Sequence, residues 1–476
     1  MSQTNLVYQV EDKPSWSKTL VFALQQLLAI MAATIAVPAI VNGATGATMS
    51  QSAALFGAGV GTLVYLLFTK FKSPVFLGSS FAFLGSMMAA FAGGVSMSVG
   101  YLGLILGAAF AALVYVALSM IVKFAGTGWI NKIMPAVVIG PTVAIIGLSL
   151  AGNAVGDLFT GNGSASVNSY VALLCGLVTL FVTIISSVFG KKMMKMIPFI
   201  IGICAGYAVA AIFSAIGYGT GNDALKVINF GLFETAGWDK FVGGWCPDFT
   251  FLTAFSGNYD FAQAGNFGAY LGTIAVGYIP VAFVVFAEHI ADHKNLSSII
   301  GRDLLEEPGL HRTLLGDGVG SFAGSLFGGC PNTTYGESVG AVAISGNASI
   351  RTIFVTALMA IVLSFILPVS TFLATIPSCV MGGVCFALYG FIAVSGLKMI
   401  QKVDLGDNRN LFVVSVILIA GVGGFTLNIT LGGSAVITIT EVACALILGI
   451  LVNIIVHLKK DDKENVEPVA ENEEKE

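Results

Sequence analysis

The sequence predicts an all-α polytopic membrane protein, and three observations carry that prediction. Of 476 residues, 56% are hydrophobic and only 10% are charged, and the mean hydropathy is +0.89. Soluble domains carry about 25% charged residues, so this chain cannot offer water a polar surface on every side. Apolar runs of about 20 residues, long enough to cross a bilayer core, recur along the whole length. The 58 glycines fit the same class, because glycine lets membrane helices approach closely.

The apolar runs fall near 18–41, 51–69, 75–93, 99–122, 133–151, 169–189 and 196–215. After a long loop at 216–264 they resume at 266–290, 313–329, 331–346, 352–368, 371–397, 411–427 and 437–458. That predicts fourteen crossings, of which 75–93 and 331–346 are short or interrupted by glycine. With the N-terminus inside, all of the 22 basic residues except Lys226 and Lys240 fall on one side. This is the positive-inside pattern, and it places both termini in the cytoplasm. The segment Lys294–Arg312 is too charged to span, and Leu296, Ile299, Ile300 and Leu304 suit a short helix on the inner interface.

The net charge of −4 comes mostly from an acidic tail at 459–476. No basic patch interleaved with aromatics points to nucleic acid. The seven cysteines show neither paired spacings nor a zinc pattern and read as small apolar fillers. The polar stretch Met1–Ser15 has no apolar core of a signal peptide. No phosphate loop, Walker motif or nucleophile elbow is present, which excludes ATP-driven transport and leaves no nucleophile–base pair for an enzyme. Energy is expected from an ion gradient.

Two internal similarities point to a duplicated design. GSSFAF (78–83) parallels NTTYGE (332–337), each with two hydroxyl residues, an aromatic and a small residue. IMPAVVIGPTVAIIGLSLAG (133–152) parallels IPSCVMGGVCFALYGFIAVSG (376–396), with Pro, Gly and Gly in order. Crossing three then matches ten and five matches twelve, so the unit is seven crossings. An odd unit inserts its second copy upside down, as in the inverted repeats of many secondary transporters. Interrupted helices in such folds meet at the midplane and turn free backbone N–H groups toward a polar substrate.

Ionisable residues in lipid are the strongest site signal, since a carboxylate at the bilayer centre costs about 2.5–3.5 kcal/mol on insertion scales. Glu337 lies six residues into its crossing and cannot easily reach water. Glu288, His289, Asp292 and His293 form the run EHIADH. Helix counting puts Glu288 about 29 Å beyond Ala269, near the inner interface, where an acid is unremarkable. His289 and His293 share a helix face at the i, i+4 spacing, which could suit zinc. No third ligand is evident and the HExxH order is missing, so proton handling is the reading adopted. Asp317 and Glu441 are read as interfacial and structural.

Four motifs together identify a resemblance: AEHIADH (287–293), GRDLLEEPGLHRTLLGDG (301–318), PNTTYGESVG (331–340) and GSSFAF (78–83). From about Ser15 to Leu458 the chain resembles the nucleobase–ascorbate transporter family, within it the uracil permease branch. The resemblance implies fourteen transmembrane segments as two inverted seven-helix repeats, with short strands in segments 3 and 10. It implies a core domain (18–122 and 265–368) carrying substrate past a gate domain (133–215 and 371–458), in a homodimer of the cell membrane. The loop 216–264 would then be extracellular, and residues 1–17 and 459–476 cytoplasmic. Glu288 and Glu337 would bond the N–H and carbonyl edge of uracil. Backbone amides at Phe81 and Gly336 would complete that edge, beside Ser80, and Phe81, Tyr335 and Tyr389 would line the ring faces. Proton coupling would fall to Glu288, Asp292 and His293, with no cofactor. Asp292 stands where some relatives have His, and Ser338 and Ser345-Gly346 depart from the family pattern. A xanthine or other purine permease is therefore the alternative, ahead of an anion transporter or channel of similar fold.

Overall fold

Caps and glycines set the helix ends that position everything else. In this computed structural model the described residues are 6–457 apart from 127–134, 192, 242–243, 258, 402 and 432–434. The acidic tail, Lys132, Lys192, Lys402 and the expected start of crossing five at Ile133 thus lie outside the described residues.

Helix α1 (Trp16–Thr45) ends at Gly46, left-handed at φ 72°, whose N–H returns to Asn42 O. The Ser50 hydroxyl accepts the Ala53 N–H and opens α2 (Gln51–Phe68). Such caps replace the bonds that a first or last turn lacks. Strand β1 (Leu77–Ser79) follows, then the short helix α3 (Leu84–Ala90) and the long α4 (Met97–Ala125). Next come α5 (Ala136–Ser149), α6 (Ala151–Asp157), α7 (Ser169–Phe189) and α8 (Pro198–Thr220).

The second half opens with α9 (Phe267–Ile300), capped by Asn266, and α10 (Leu310–Gly328). Strand β2 (Asn332–Thr334) leads into α11 (Gly336–Ser345), then α12 (Ile350–Ser364) and α13 (Leu367–Thr375). Pro377 separates α13 from α14 (Ser378–Ile400), because the residue before a proline leaves the helical region. Crossing twelve therefore starts at Ser378, not at residue 371. The chain closes with α15 (Asn408–Val422), the hairpin β3 (Leu427–Leu431) and β4 (Ala435–Ile439), and α16 (Glu441–Val456). Only Leu427 and the last three residues of β4 fall within the expected crossings thirteen and fourteen; the rest of the two strands lies in the connection expected between them.

Among the described residues eight helical stretches, α5 and α6 counted as one, are long and apolar enough to cross a membrane, or nine if the pair α12–α13, bent by 81°, is a single span. The protein is thus a mostly helical, multi-pass membrane protein. The other expected segments fall short of that length or apolarity for visible reasons. Segments three and ten are each a strand plus a half-length helix, α10 is rich in glycine, and α15 and α16 have 15 and 16 residues.

The strands pair antiparallel in the register Leu77↔Thr334, Gly78↔Thr333, Ser79↔Asn332. Backbone that leaves the helix at membrane depth needs partners from protein, and hydroxyl side chains supply them. Leu77 N–H donates to Thr62 Oγ1 (2.9 Å), Phe76 N–H to Ser338 Oγ (3.1 Å) and Asn332 N–H to Ser321 Oγ (3.0 Å). The Tyr335 hydroxyl donates to Ser79 O at 2.7 Å and ties the two breaks together.

The helices pack as two groups. In one, α10 lies against α2 and α4, α12 against α1 and α2, and α9 against α4; in the other, α14 lies against α5 and α7, α7 against α8, and α15 against α5 and α16. Glycines allow the closest approaches. A Cβ on Gly320 would stand 2.6 Å from Gly61 O, and one on Gly396 2.5 Å from Gly140 O.

Candidate functional site

A cavity of about 370 Å³ lies where the two helix groups face each other. One wall comes from α1, α9 and the two strand–helix junctions, and the other from α5, α8 and α14. It extends to Lys195 and Met399, and Lys195 is exposed there.

Both predicted acids line this cavity. Glu337 sits in the first turn of α11, where the uncompensated N–H groups and the positive helix end favour a negative charge. Its depth follows from β2, which carries the chain inward before α11 begins. Glu288 lies in α9, which continues to Ile300. The sequence count put Glu288 near the interface because crossing eight was expected to end at residue 290. The helix is 34 residues long, or about 51 Å, so Glu288 lies about 18 Å from its end. The first seven residues of the expected interfacial segment Lys294–Arg312 belong to this extension, and Leu296, Ile300 and Leu304 are buried.

Ser80, Phe81, Tyr335 and Gly336 also line the cavity. Tyr389 stands one layer back: it is 2% exposed and its ring meets Phe81 edge-on at 6.0 Å. Asp292 lines the cavity and accepts a hydrogen bond from the Thr334 hydroxyl at 2.9 Å. His293, expected beside it, turns the other way and is fully buried. Its Nε2 lies 2.7 Å from the Tyr65 hydroxyl and its Nδ1 2.8 Å from His289 O.

His289 is likewise buried, with Nδ1 2.7 Å from Asp317 Oδ2 and Nε2 3.0 Å from Thr313 Oγ1. The two imidazoles stack at 4.1 Å, each with both nitrogens engaged, which is not how a zinc pair presents itself. Asp317 corrects the sequence reading. It is 1% exposed and inside α10 rather than at the interface, because α10 begins at Leu310 and turns Asp317 toward α9.

Sequence reasoning missed the opposite wall. Leu388, Phe391, Ile392, Ser395 and Met399 form one face of α14 lining the cavity. Their helical spacing is legible, but every helix of a membrane protein is apolar, so the stripe carries no distinguishing signal. Gln26, which donates to Ser338 Oγ at 2.6 Å and ties α1 to α11, was also missed.

The profile of a permease family, that of xanthine and uracil permeases, matches residues 17–430. A uracil permease of Bacillus subtilis (strain 168) is 37% identical over 467 residues, covering 97% of this chain and 98% of the relative. The uracil permease of Escherichia coli (strain K12) is 32% identical over 447 residues, covering 93% and 94%. Among solved structures, the transmembrane domain of a cyanobacterial bicarbonate transporter superposes with a TM-score of 0.58 at 17% identity, over 95% of this chain and 100% of that one. A murine anion transporter of solute carrier family 26 in the inward-facing state gives 0.58 at 14% identity, over 94% and 69%. At such identities these two establish the fold alone. By the extent of the family match and the near full-length relatives, the chain belongs to the nucleobase–ascorbate transporter family and is a permease, not an enzyme.

Proposed function

We propose that this permease takes up uracil together with protons by alternating access. The observation that carries the reading is the convergence of Glu288 and Glu337 on one cavity. A flat pyrimidine presents alternating N–H donors and carbonyl acceptors along its edge. Two carboxylates can accept from the N–H groups, and the free amides at the start of α11 can donate to a carbonyl. Phe81 and Tyr335, which line the cavity, are the aromatic rings available to pack against such a plane. Relatives described as uracil permeases support the substrate class.

The group containing α1–α4 and α9–α12 is read as the core that carries substrate, and the group containing α5–α8 and α14–α16 as the gate. The cavity between them, extending to exposed Lys195, fits a state open to the cytoplasm, with both termini on that side of the cell membrane. The paired strands support an inverted repeat of two seven-segment halves, fourteen segments in all, and a homodimer joins the account as the family's usual assembly. Asp292, held by Thr334 beside Glu288, shares proton handling with it, while His293 supports that helix turn from behind.

Equilibrium binding of labelled uracil to the purified protein tests the site. Saturable binding that Glu288→Gln and Glu337→Gln each weaken at least tenfold is expected. Binding left intact in both variants would contradict it.

A further inference from the structure

A second, much smaller chamber lies behind strand β2, enclosed by Phe83, Tyr115, Asp317, Ser321, Asn332 and Thr333. Its volume is about 10 Å³, close to the least that holds one water molecule. Its walls are polar in a specific way. Asp317 gives Oδ2 to His289 at 2.7 Å, while its Oδ1 is buried without a protein partner. The Tyr115 hydroxyl is also buried without one, in a side chain 4% exposed. The Tyr115 ring meets His289 edge-on at 6.2 Å, so both orphaned atoms belong to one cluster. Ser321 Oγ accepts the Asn332 N–H at 3.0 Å and keeps its own proton to donate.

A buried carboxyl oxygen and a buried hydroxyl left without partners are each costly. One water with three bonds removes both penalties. It would accept from Tyr115 O–H and Ser321 O–H and donate to Asp317 Oδ1. We propose that this chamber is a binding site for a single internal water, joining Tyr115 on α4 to the Asp317–His289 pair. Thr333 lines both this chamber and the substrate cavity. The water therefore lies one side chain behind the wall of the transport site, and it braces the helix turn that presents Glu288. The proposal concerns chamber chemistry and holds whichever nucleobase is carried.

The test is a structure of the full chain in lipid nanodiscs at a resolution that shows ordered water. A density peak within hydrogen-bond distance of both Asp317 Oδ1 and Tyr115 Oη is expected. A direct bond between those two atoms, or a collapsed chamber, overturns the proposal. Thermal stability supplies the second arm. Tyr115→Phe and Asp317→Asn should lower the melting temperature by less together than the sum of their separate effects, because either one removes the shared bridge. Should Asp317→Asn not accumulate, Ser321→Ala takes its place with the same expectation. Additive losses contradict a shared ligand. A stabilisation by sodium chloride over choline chloride that Tyr115→Phe abolishes assigns a cation instead and equally overturns it.

Discussion

The Thr334 hydroxyl donates to Asp292 Oδ2 at 2.9 Å, fastening strand β2 to the cavity-facing acid of α9. Thr334 pairs in turn with Leu77 of the opposing strand, so both helix breaks and α9 meet through this bond. Thr334→Val keeps the shape and removes the donor. A hydrogen bond contributes about 0.5–1.5 kcal/mol, so uracil uptake is expected to fall by up to about tenfold. Thr334→Ser should retain it, with surface expression equal in both, as measured by initial uptake rates normalised to membrane-inserted protein.

Glu337→Gln preserves the size of the side chain and removes the charge at the start of α11. Uptake is expected to be lost while expression and monodispersity in detergent persist, because the side chain faces a cavity and its loss leaves the packing intact. Normal transport by this variant would make Glu337 a structural acid.

The buried hydrogen-bonded pair and the exposed ion pair should separate by stability. His289 and Asp317 are joined by a buried hydrogen bond of 2.7 Å, and leaving a buried polar partner unsatisfied costs about 1–3 kcal/mol, so His289→Ala should lower the melting temperature. Lys72 and Glu307 form an ion pair on the surface, where such pairs contribute little. Glu307→Gln should leave both melting temperature and uptake unchanged, as differential scanning fluorimetry with parallel uptake assays would establish.

Helix contact through glycine gives a steric prediction. A Cβ on Gly61 would stand 2.7 Å from Gly320 O, where α2 and α10 pack. Overpacking of that kind costs about 1–3 kcal/mol, so Gly61→Ala should lower the melting temperature or the yield. Gly152, whose added Cβ meets nothing within 4 Å, should accept alanine without effect.

Much of this architecture is legible in the sequence, and the failures have physical causes. Glu337 lines the cavity where NTTYGE interrupts an apolar run, and the repeat with GSSFAF anticipates the two helix breaks, whereas the strands within them are anticipated by the family resemblance alone. Glu288 is not found by counting, since a helix may run well past the bilayer, as α9 does to Ile300. Asp317 is misread for a related reason: three residues of error in a helix start move an acid from the surface to the interior. The α14 wall leaves no signal, because substrate-facing and lipid-facing apolar side chains look alike in sequence. Which neighbour an imidazole bonds is a tertiary fact, so the inward turn of His293 could not be read from EHIADH.

Cavity access can be followed chemically. Met399 lines the cavity toward the exposed Lys195, so Met399→Cys should react with a membrane-impermeant thiol reagent from the cytoplasmic face of inverted vesicles. Uracil should slow that labelling, and labelling only from the outside would reverse the assigned orientation.

The central claim, a proton-driven uracil permease, is tested most directly by uptake of radiolabelled uracil into membrane vesicles with and without an imposed pH gradient, in the presence of competing nucleobases. The account predicts uptake that the gradient accelerates and that unlabelled uracil suppresses more strongly than xanthine. Uptake indifferent to the gradient would contradict proton coupling, and stronger suppression by xanthine would contradict the pyrimidine assignment.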